Sequence, residues 1–302
     1  MNITEKLDLA IKLNEKGSTD GEYLIAYKGK TLQKQTYMTN EEWDAFVLAM
    51  KSNEFQPTAH LEYSEGGGDE LSEKNVRPPK MASYGSSSRM IYMLSAHKEG
   101  FHYERKLPTT VGGKANLDGF YEDETRYIFV EAKCHEPYSK KTNAVSECYR
   151  ELYEYLTSHT WGSINIEMKP SDRERYMIVD FFADGERLEH FDLKQMICHL
   201  LGIATGLLTG AVKQKQIDFI YLLYDPTELD IEPDAKEVID QIYERTCYEC
   251  NLIDFAELFR AILAFLNETN FNGAMTSDEL DRAVINFTFT LASQDFYPLL
   301  LQ

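Results

Sequence analysis

The chain has 302 residues, 43% of them hydrophobic, enough to bury a substantial core as one elaborated domain or two smaller ones. Its formal net charge of −19, from 50 acidic against 31 basic residues, argues against tight non-specific binding of nucleic acid. No apolar run approaches the ~20 residues of a membrane span, the charged start MNITEKLDLAIKLNEK lacks the apolar stretch of a signal peptide, and five cysteines fit reduced thiols in a cytoplasm.

Ile3, Leu7, Leu9, Ala10, Ile11 and Leu13 recur at near-helical spacing and predict a helix over residues 3–15. Tyr23 to Tyr27 reads as a short strand. Thr39-Asn40-Glu41-Glu42, ahead of Trp43, Phe46 and Met50, is an N-cap signal for a second helix. From Glu62 to Ser88 the chain turns polar, with Gly66-Gly67-Gly68, Pro78-Pro79 and Ser86-Ser87-Ser88. A solvated connector is expected there, with Lys74, Arg77 and Lys80 placed to touch a phosphate backbone. Met90, Ile91, Met93 and Leu94 predict a helix within 88–98. Val111-Gly112-Gly113-Lys114 lacks the pattern of a phosphate-binding loop, because Thr109 replaces the first glycine and Ala115 follows the lysine. It reads as the approach to a hairpin.

That hairpin runs from Asn116 to Lys133. A strand ends near Phe120, a polar turn follows from Glu122 to Thr125, and an aromatic and β-branched strand runs from Arg126 to Lys133. Alternation places Glu131 and Lys133 on one face with Tyr127 and Phe129, and Ile128, Val130 and Ala132 on the other. An acid and a base at the end of an apolar strand are costly to bury unless paired or bound. The hairpin also returns the strand close to Asp118, so two carboxylates converge on a hard, oxygen-rich site suited to Mg²⁺ or Mn²⁺, with Lys133 beside it. This trio suits phosphodiester hydrolysis: a metal activates water, and the ammonium orients that water or stabilises the transition state. The alternative is an exposed hairpin with a surface ion pair of little energetic weight.

Asp118, followed across a hairpin by Glu131-Ala132-Lys133, resembles the D…(D/E)-x-K core of the PD-(D/E)XK nuclease superfamily, which includes many restriction endonucleases. The resemblance covers about residues 85–225, and Leu117 stands where the motif's proline would be. It implies an α/β fold with a restriction endonuclease-like core, a mixed central β-sheet flanked by helices. The core would span 85–225, preceded by a helical extension and flexible linker over 1–84 and followed by a helical segment over 226–302. It implies that Asp118, Glu131 and the Ala132 carbonyl bind Mg²⁺ (or Mn²⁺) and that Lys133 assists the water. A helix before the hairpin often contributes a Glu in that superfamily. Glu104 is the candidate here, on such a helix or on a first strand.

Beyond the hairpin, His135 points away from the Lys133 face and is read as neither ligand nor base. Lys140 and Lys141, with Arg89, are candidate phosphate contacts. Residues 145–158 read as a helix whose aromatic stripe, Tyr149 and Tyr153 included, faces the core. Tyr176 to Phe182 reads as a buried strand. Asp192 caps a helix over 192–203. There the resemblance implies that Gln195 reaches toward the site, as in a Gln-x-x-x-Tyr element of one branch. His199 stands at the Tyr position and is expected to be a half-buried helix residue. Ile217 to Tyr224 is a strong strand, and with the preceding helix it makes a crossover unit in a partly parallel sheet. Two helices follow over 233–266. Cys247-Tyr248-Glu249-Cys250 has no second cysteine pair, so structural zinc is not expected. The amphipathic tail, 279–302, is expected to pack on the core.

Lys74 through Lys141 carry 12 basic against 8 acidic residues, a local +4 that leaves −23 for the remainder. The basic excess is therefore expected around the proposed site. The leading expectation is a cytoplasmic, Mg²⁺-dependent endodeoxyribonuclease acting on DNA, with the resemblance also implying a homodimer. The alternative is a nuclease-like scaffold that binds or regulates without cutting.

Overall fold

The computed structural model describes residues 1–66, 69–139 and 143–292. Helix α1 (Ile3–Lys16) starts in a capping box, where the Asn2 side chain accepts from the Glu5 amide, and stops at Gly17 with φ 70°. A hairpin follows, β1 (Tyr23–Tyr27) and β2 (Lys30–Lys34), whose second strand the sequence reading did not foresee. Helix α2 (Asn40–Lys51) is capped by Thr39 as expected. The stretch read as a solvated connector is substantially packed. Helix α3 (Ala59–Glu65) covers its start and a single 3₁₀ turn, Lys80–Ala82, its end, while Met81, Ala82 and Tyr84 are buried. Those apolar side chains tie down a segment whose glycines and prolines suggested freedom.

Helix α4 (Ser87–Ser95) leads into a three-stranded meander, β3 (Phe101–Pro108), β4 (Lys114–Glu122) and β5 (Arg126–Lys133). Strand β6 (Ala144–Ser146) takes the beginning of the helix expected over 145–158, and α5 (Arg150–Thr157) takes the rest. Strands β7 (Asn165–Pro170), β8 (Tyr176–Ala183) and β9 (Glu186–Arg187) then precede α6 (Leu193–Thr209) and β10 (Gln216–Tyr224). The chain continues through α7 (Pro233–Asn251), α8 (Phe255–Thr269) and α9 (Ser277–Arg282) to β11 (Ile285–Ala292).

The protein is α/β, with a mixed central sheet flanked by helices. Its order is β11-β10-β5-β4-β3; β10 is parallel to both β5 and β11, and the meander is antiparallel. Strand β11 corrects the expectation of an all-helical segment after residue 225, since the chain returns to extend the sheet. The rest of the tail, 293–302, lies outside the described residues. A separate antiparallel sheet, β6-β8-β7 with β9 beside β8, packs next to α5.

The central strands are buried on both faces, as strands in a parallel crossover are. Tyr127, Phe129, Ile217, Phe219 and Tyr221 join one core with α5, α6 and α8. Ile128, Val130, Ala132, Ile220 and Leu222 join a second core, built from α1, α2, α4 and the β1–β2 hairpin. Residues 1–84 thus cover one face of the sheet and share its core.

Helix α6 carries two of the site's side chains, and its entry is fixed from α7. The buried Glu249 carboxylate accepts from the amides of Glu189 at 3.0 Å, His190 at 2.9 Å and Phe191 at 2.8 Å. Asp192 then caps the helix through the Gln195 amide. Glu249 belongs to the C-x-x-C segment; Cys247 and Cys250 are free, as are the other three cysteines.

Candidate functional site

The meander is interrupted at one point. Its register runs Tyr103↔Gly119 and then Arg105↔Leu117, so Glu104 and Asp118 face each other where the ladder breaks. Glu104 has φ 51°, a left-handed conformation that costs a non-glycine residue about 1–2 kcal/mol. Such strain persists where the surroundings impose it, often at functional sites. The break also shifts the alternation, because Leu117 and Phe120, three residues apart, face the same core. On the other side of β4 the pairing with β5 ends at Gly119↔Val130. Beyond it the Asp118 side chain stands in for the ladder, its Oδ2 accepting from the Ala132 amide at 2.9 Å.

Glu131 and Lys133 share the α6 face, as alternation predicted. They are 0% and 6% exposed, which rules out the surface-pair alternative. Lys133 Nζ donates to Glu131 Oε1 at 2.6 Å and to Gln195 Oε1 at 2.8 Å, while Gln195 Nε2 donates to Glu131 Oε1 at 2.7 Å. Among the described residues this uses two of the three ammonium donors. His199, one turn beyond Gln195, is 2% exposed, not half-buried, and its Nε2 lies 3.0 Å from Glu131 Oε2. That approach is close enough for charge interaction but off line for a hydrogen bond, so Oε2 has no hydrogen-bond partner. Tyr221, in register with Glu131, is fully buried beside this cluster.

The electrostatics divide the two carboxylates. Burial raises Glu131, but the Lys133 ammonium and then His199 outweigh it and hold the group at about 2. Asp118 moves the opposite way. Burial, and then the negative charge of Glu131, push it well above the usual carboxylate range, against smaller pulls from Lys133 and the Ala132 amide. Lys133 loses charge stability to burial but recovers more from Glu131, Glu136 and Asp118, so it stays cationic. The site therefore holds one well-compensated anion and one that lacks a cation of its own.

Asp118 opens onto a cleft of about 720 Å³. Glu104 lines the same cleft, borne on β3 and not on a preceding helix. With them are His135 and Glu136 from beyond β5, Asp8 from α1, and Glu70, Lys80 and Ser83 from the segment before α4. His135 does point away from Lys133, toward Asp8 on α1, and this places it on the cleft wall. Glu131, Lys133 and Gln195 sit behind the wall, not on it. The basic excess does not surround the opening as expected. Carboxylates on the wall come from Glu5, Asp8, Asp69, Glu70, Glu104, Asp118 and Glu136, against Lys34, Arg77 and Lys80.

Arg89 corrects another expectation. It is buried, with Nη1 and Nη2 on the two carboxylate oxygens of Glu15 at 3.0 and 2.5 Å, so it fastens α1 to α4 and is no phosphate contact. Lys140 and Lys141 lie outside the described residues.

Oxygen donors of the kind a hard divalent cation takes are present in part. Asp118 Oδ2 is taken by the Ala132 amide, Glu131 Oε2 is buried without a hydrogen bond, and burial and Glu131 disfavour charge on Asp118. Ala132, the third expected ligand, is buried and in register with Leu222. Among the described residues, however, no group of three or more His, Cys, Asp and Glu side chains is arranged to hold a metal ion. Nor, among them, is any helix long and apolar enough to cross a membrane. No protein-family model, curated protein or solved structure matches the chain.

Proposed function

We propose that the protein is a metal-dependent phosphodiesterase acting on DNA, with a restriction endonuclease-like core. One observation carries the reading. The hairpin and α6 gather Asp118, Glu131, Lys133 and Gln195 at the point where β4 and β5 part, next to a cleft. Supporting it are the helix before the meander, the helix packed on the sheet after it, and the parallel return of β10 beside β5.

In this reading Asp118 and Glu131 hold Mg²⁺ or Mn²⁺, which supplies charge neutralisation at the phosphate and an acidified water. The protein's own groups do the rest. Gln195 and Lys133 fix the Glu131 carboxylate in one orientation. The third Lys133 donor is available to the attacking water or a phosphate oxygen. Glu104, opposite Asp118, contributes a further oxygen at the cleft wall. A cation is also what lets a polyanion approach a wall richer in carboxylates than in bases.

The second reading, a scaffold that binds without cutting, draws on that acidic wall and on the engagement of Lys133 by both Glu131 and Gln195. Cleavage of supercoiled plasmid and of short single- and double-stranded DNA at low salt, with Mg²⁺ or Mn²⁺, separates the two. Metal-dependent cutting that disappears in both Asp118→Ala and Lys133→Ala supports the nuclease. Cutting that survives both removes this mechanism. The absence of both cutting and Asp118-dependent metal binding favours the scaffold.

A further inference from the structure

His135 was expected to point away from Lys133 and to be neither ligand nor base, yet the fold brings it into the cleft that Asp118 lines and gives it a partner more than 120 positions away in the chain. Its Nδ1 lies 3.3 Å from Asp8 Oδ1. Asp8 is itself buried on α1, with its second oxygen 3.4 Å from the Ser83 hydroxyl. Gly85 permits this approach. A β-carbon there would collide with the Asp8 carboxylate and come within 2.9 Å of His135 Nδ1. The chain after β5 holds the ring from the other side, because the Glu136 carboxylate accepts from the Cys134 amide at 2.7 Å and starts the 3₁₀ turn.

We propose, on the nuclease reading above, that His135 donates a proton to the departing oxygen of the phosphodiester and that Asp8 is its positioning residue. The ring is placed for this. With Nδ1 turned to a buried carboxylate, Nε2 is the nitrogen left to serve the cleft, and the side chain keeps 35% of its surface exposed. An Asp–His pair whose acid is buried fixes both the ring's orientation and its tautomer. The charged groups facing the ring are Asp8 from α1 and Glu136 from its own turn, both acids, while the segment before α4 contributes the uncharged Gly85 and Ser83. Burial alone would lower the ring's pKa, but Asp8 and then Glu136 more than reverse that, so it sits above its ordinary value. A fastening role for the pair is less needed, since Arg89 and Glu15 already tie α1 to α4.

The water oxygen forms a bond to phosphorus while the bond from phosphorus to the sugar oxygen breaks. The water's proton passes to solvent, the leaving oxygen takes the proton from His135 Nε2, and solvent later reprotonates the ring. General-acid assistance of this kind is worth about 10²–10⁴-fold in rate.

The test uses the full chain with Mn²⁺ or Mg²⁺. Its probes are an ordinary duplex and matched duplexes in which sulfur replaces the bridging 3′ or 5′ oxygen, because a thiolate leaves without a proton. His135→Gln should slow cutting of the ordinary duplex by about 100-fold or more and of the sulfur duplex by less than about tenfold. Asp8→Asn should shift the alkaline limb of the pH–rate profile to lower pH, and the His135 ring, followed by NMR, should titrate lower as well. Equal losses on both duplexes would reduce the pair to a structural tie and overturn the proposal. So would undiminished cutting by His135→Gln, or a ring unmoved by Asp8→Asn. Wild type that cuts no duplex removes the nuclease reading and this role together, whereas wild type that cuts beside an equally fast His135→Gln removes the role alone.

Discussion

Replacing Glu131 and Lys133 singly and together tests whether the pair behind the cleft is a coupled buried ion pair. At the observed 2.6 Å, and with an effective dielectric of about 20, their attraction is about 6 kcal/mol. Removing both ions from water costs several kcal/mol each, so the intact pair is close to neutral for stability. A single replacement cancels the attraction and leaves the other ion's desolvation uncompensated. Glu131→Gln strands an ammonium that is 6% exposed, and Lys133→Met strands a carboxylate with no exposure at all. Each should cost about 3–5 kcal/mol. The double variant leaves no unpaired charge and a similar volume, so it should lose less than either single. Urea unfolding in EDTA reads this directly through Trp43 and Trp161, buried reporters in the two cores. Single losses below about 1 kcal/mol, or a double loss equal to their sum, would refute the account.

Three further outcomes follow from other parts of the structure. Because burial and Glu131 raise the Asp118 carboxyl, its ionisation costs stability as pH rises through the shifted value, so Asp118→Asn should unfold at higher urea than wild type at pH 7–8 in EDTA. The same variant should lose the Mg²⁺-induced stabilisation, about 2.7 kcal/mol at a hundredfold excess over Kd, and an unshifted midpoint in EDTA counts against the electrostatic argument. Glu249→Ala leaves the amides of Glu189, His190 and Phe191 without their acceptor and should cost about 3 kcal/mol or more in thermal or urea unfolding, whereas a neutral Glu249→Ala would show that the α6 entry is held by other means. Asp123, held at about 2 by the Thr125 amide and hydroxyl and then the Arg126 amide, supports the β4–β5 turn above its ordinary range; that support fades as pH falls from about 4 through about 2. Asp123→Ala should therefore flatten the acid limb of the stability profile, and an unchanged limb would remove this turn from the explanation.

What could be read from the chain was local. The β4–β5 hairpin follows from its own alternation and turn residues. The helix start at Asp192 was legible from its cap, whereas Gln195 as a site residue came only from the resemblance. His199 was legible as a helix residue but not as a neighbour of Glu131, because that depends on how α6 lies across the sheet. His135 was legible as pointing away from Lys133 but not as a cleft residue, because that depends on where α1 docks. Asp8 and Glu15 carried no signal of their own; one meets His135 127 positions away and the other Arg89 74 positions away, only after α1 has docked. Arg89 looked like a phosphate contact because basic residues on short helices usually face water, yet a buried acid opposite reverses that preference. Strand β11 was hidden in an amphipathic tail whose partner, β10, lies beyond three intervening helices.

That last strand bears on how the protein is made. On a ribosome, β5 and β10 emerge well before residues 285–292, so the flank of β10 carrying Phe219 and Tyr221 stays unpaired while α7 to α9 are synthesised. A nascent chain at that stage offers a long apolar sheet edge to its neighbours. Chains truncated ahead of β11 should collect in the insoluble fraction, and holdase chaperones should associate with the protein late in translation and leave once β11 has docked.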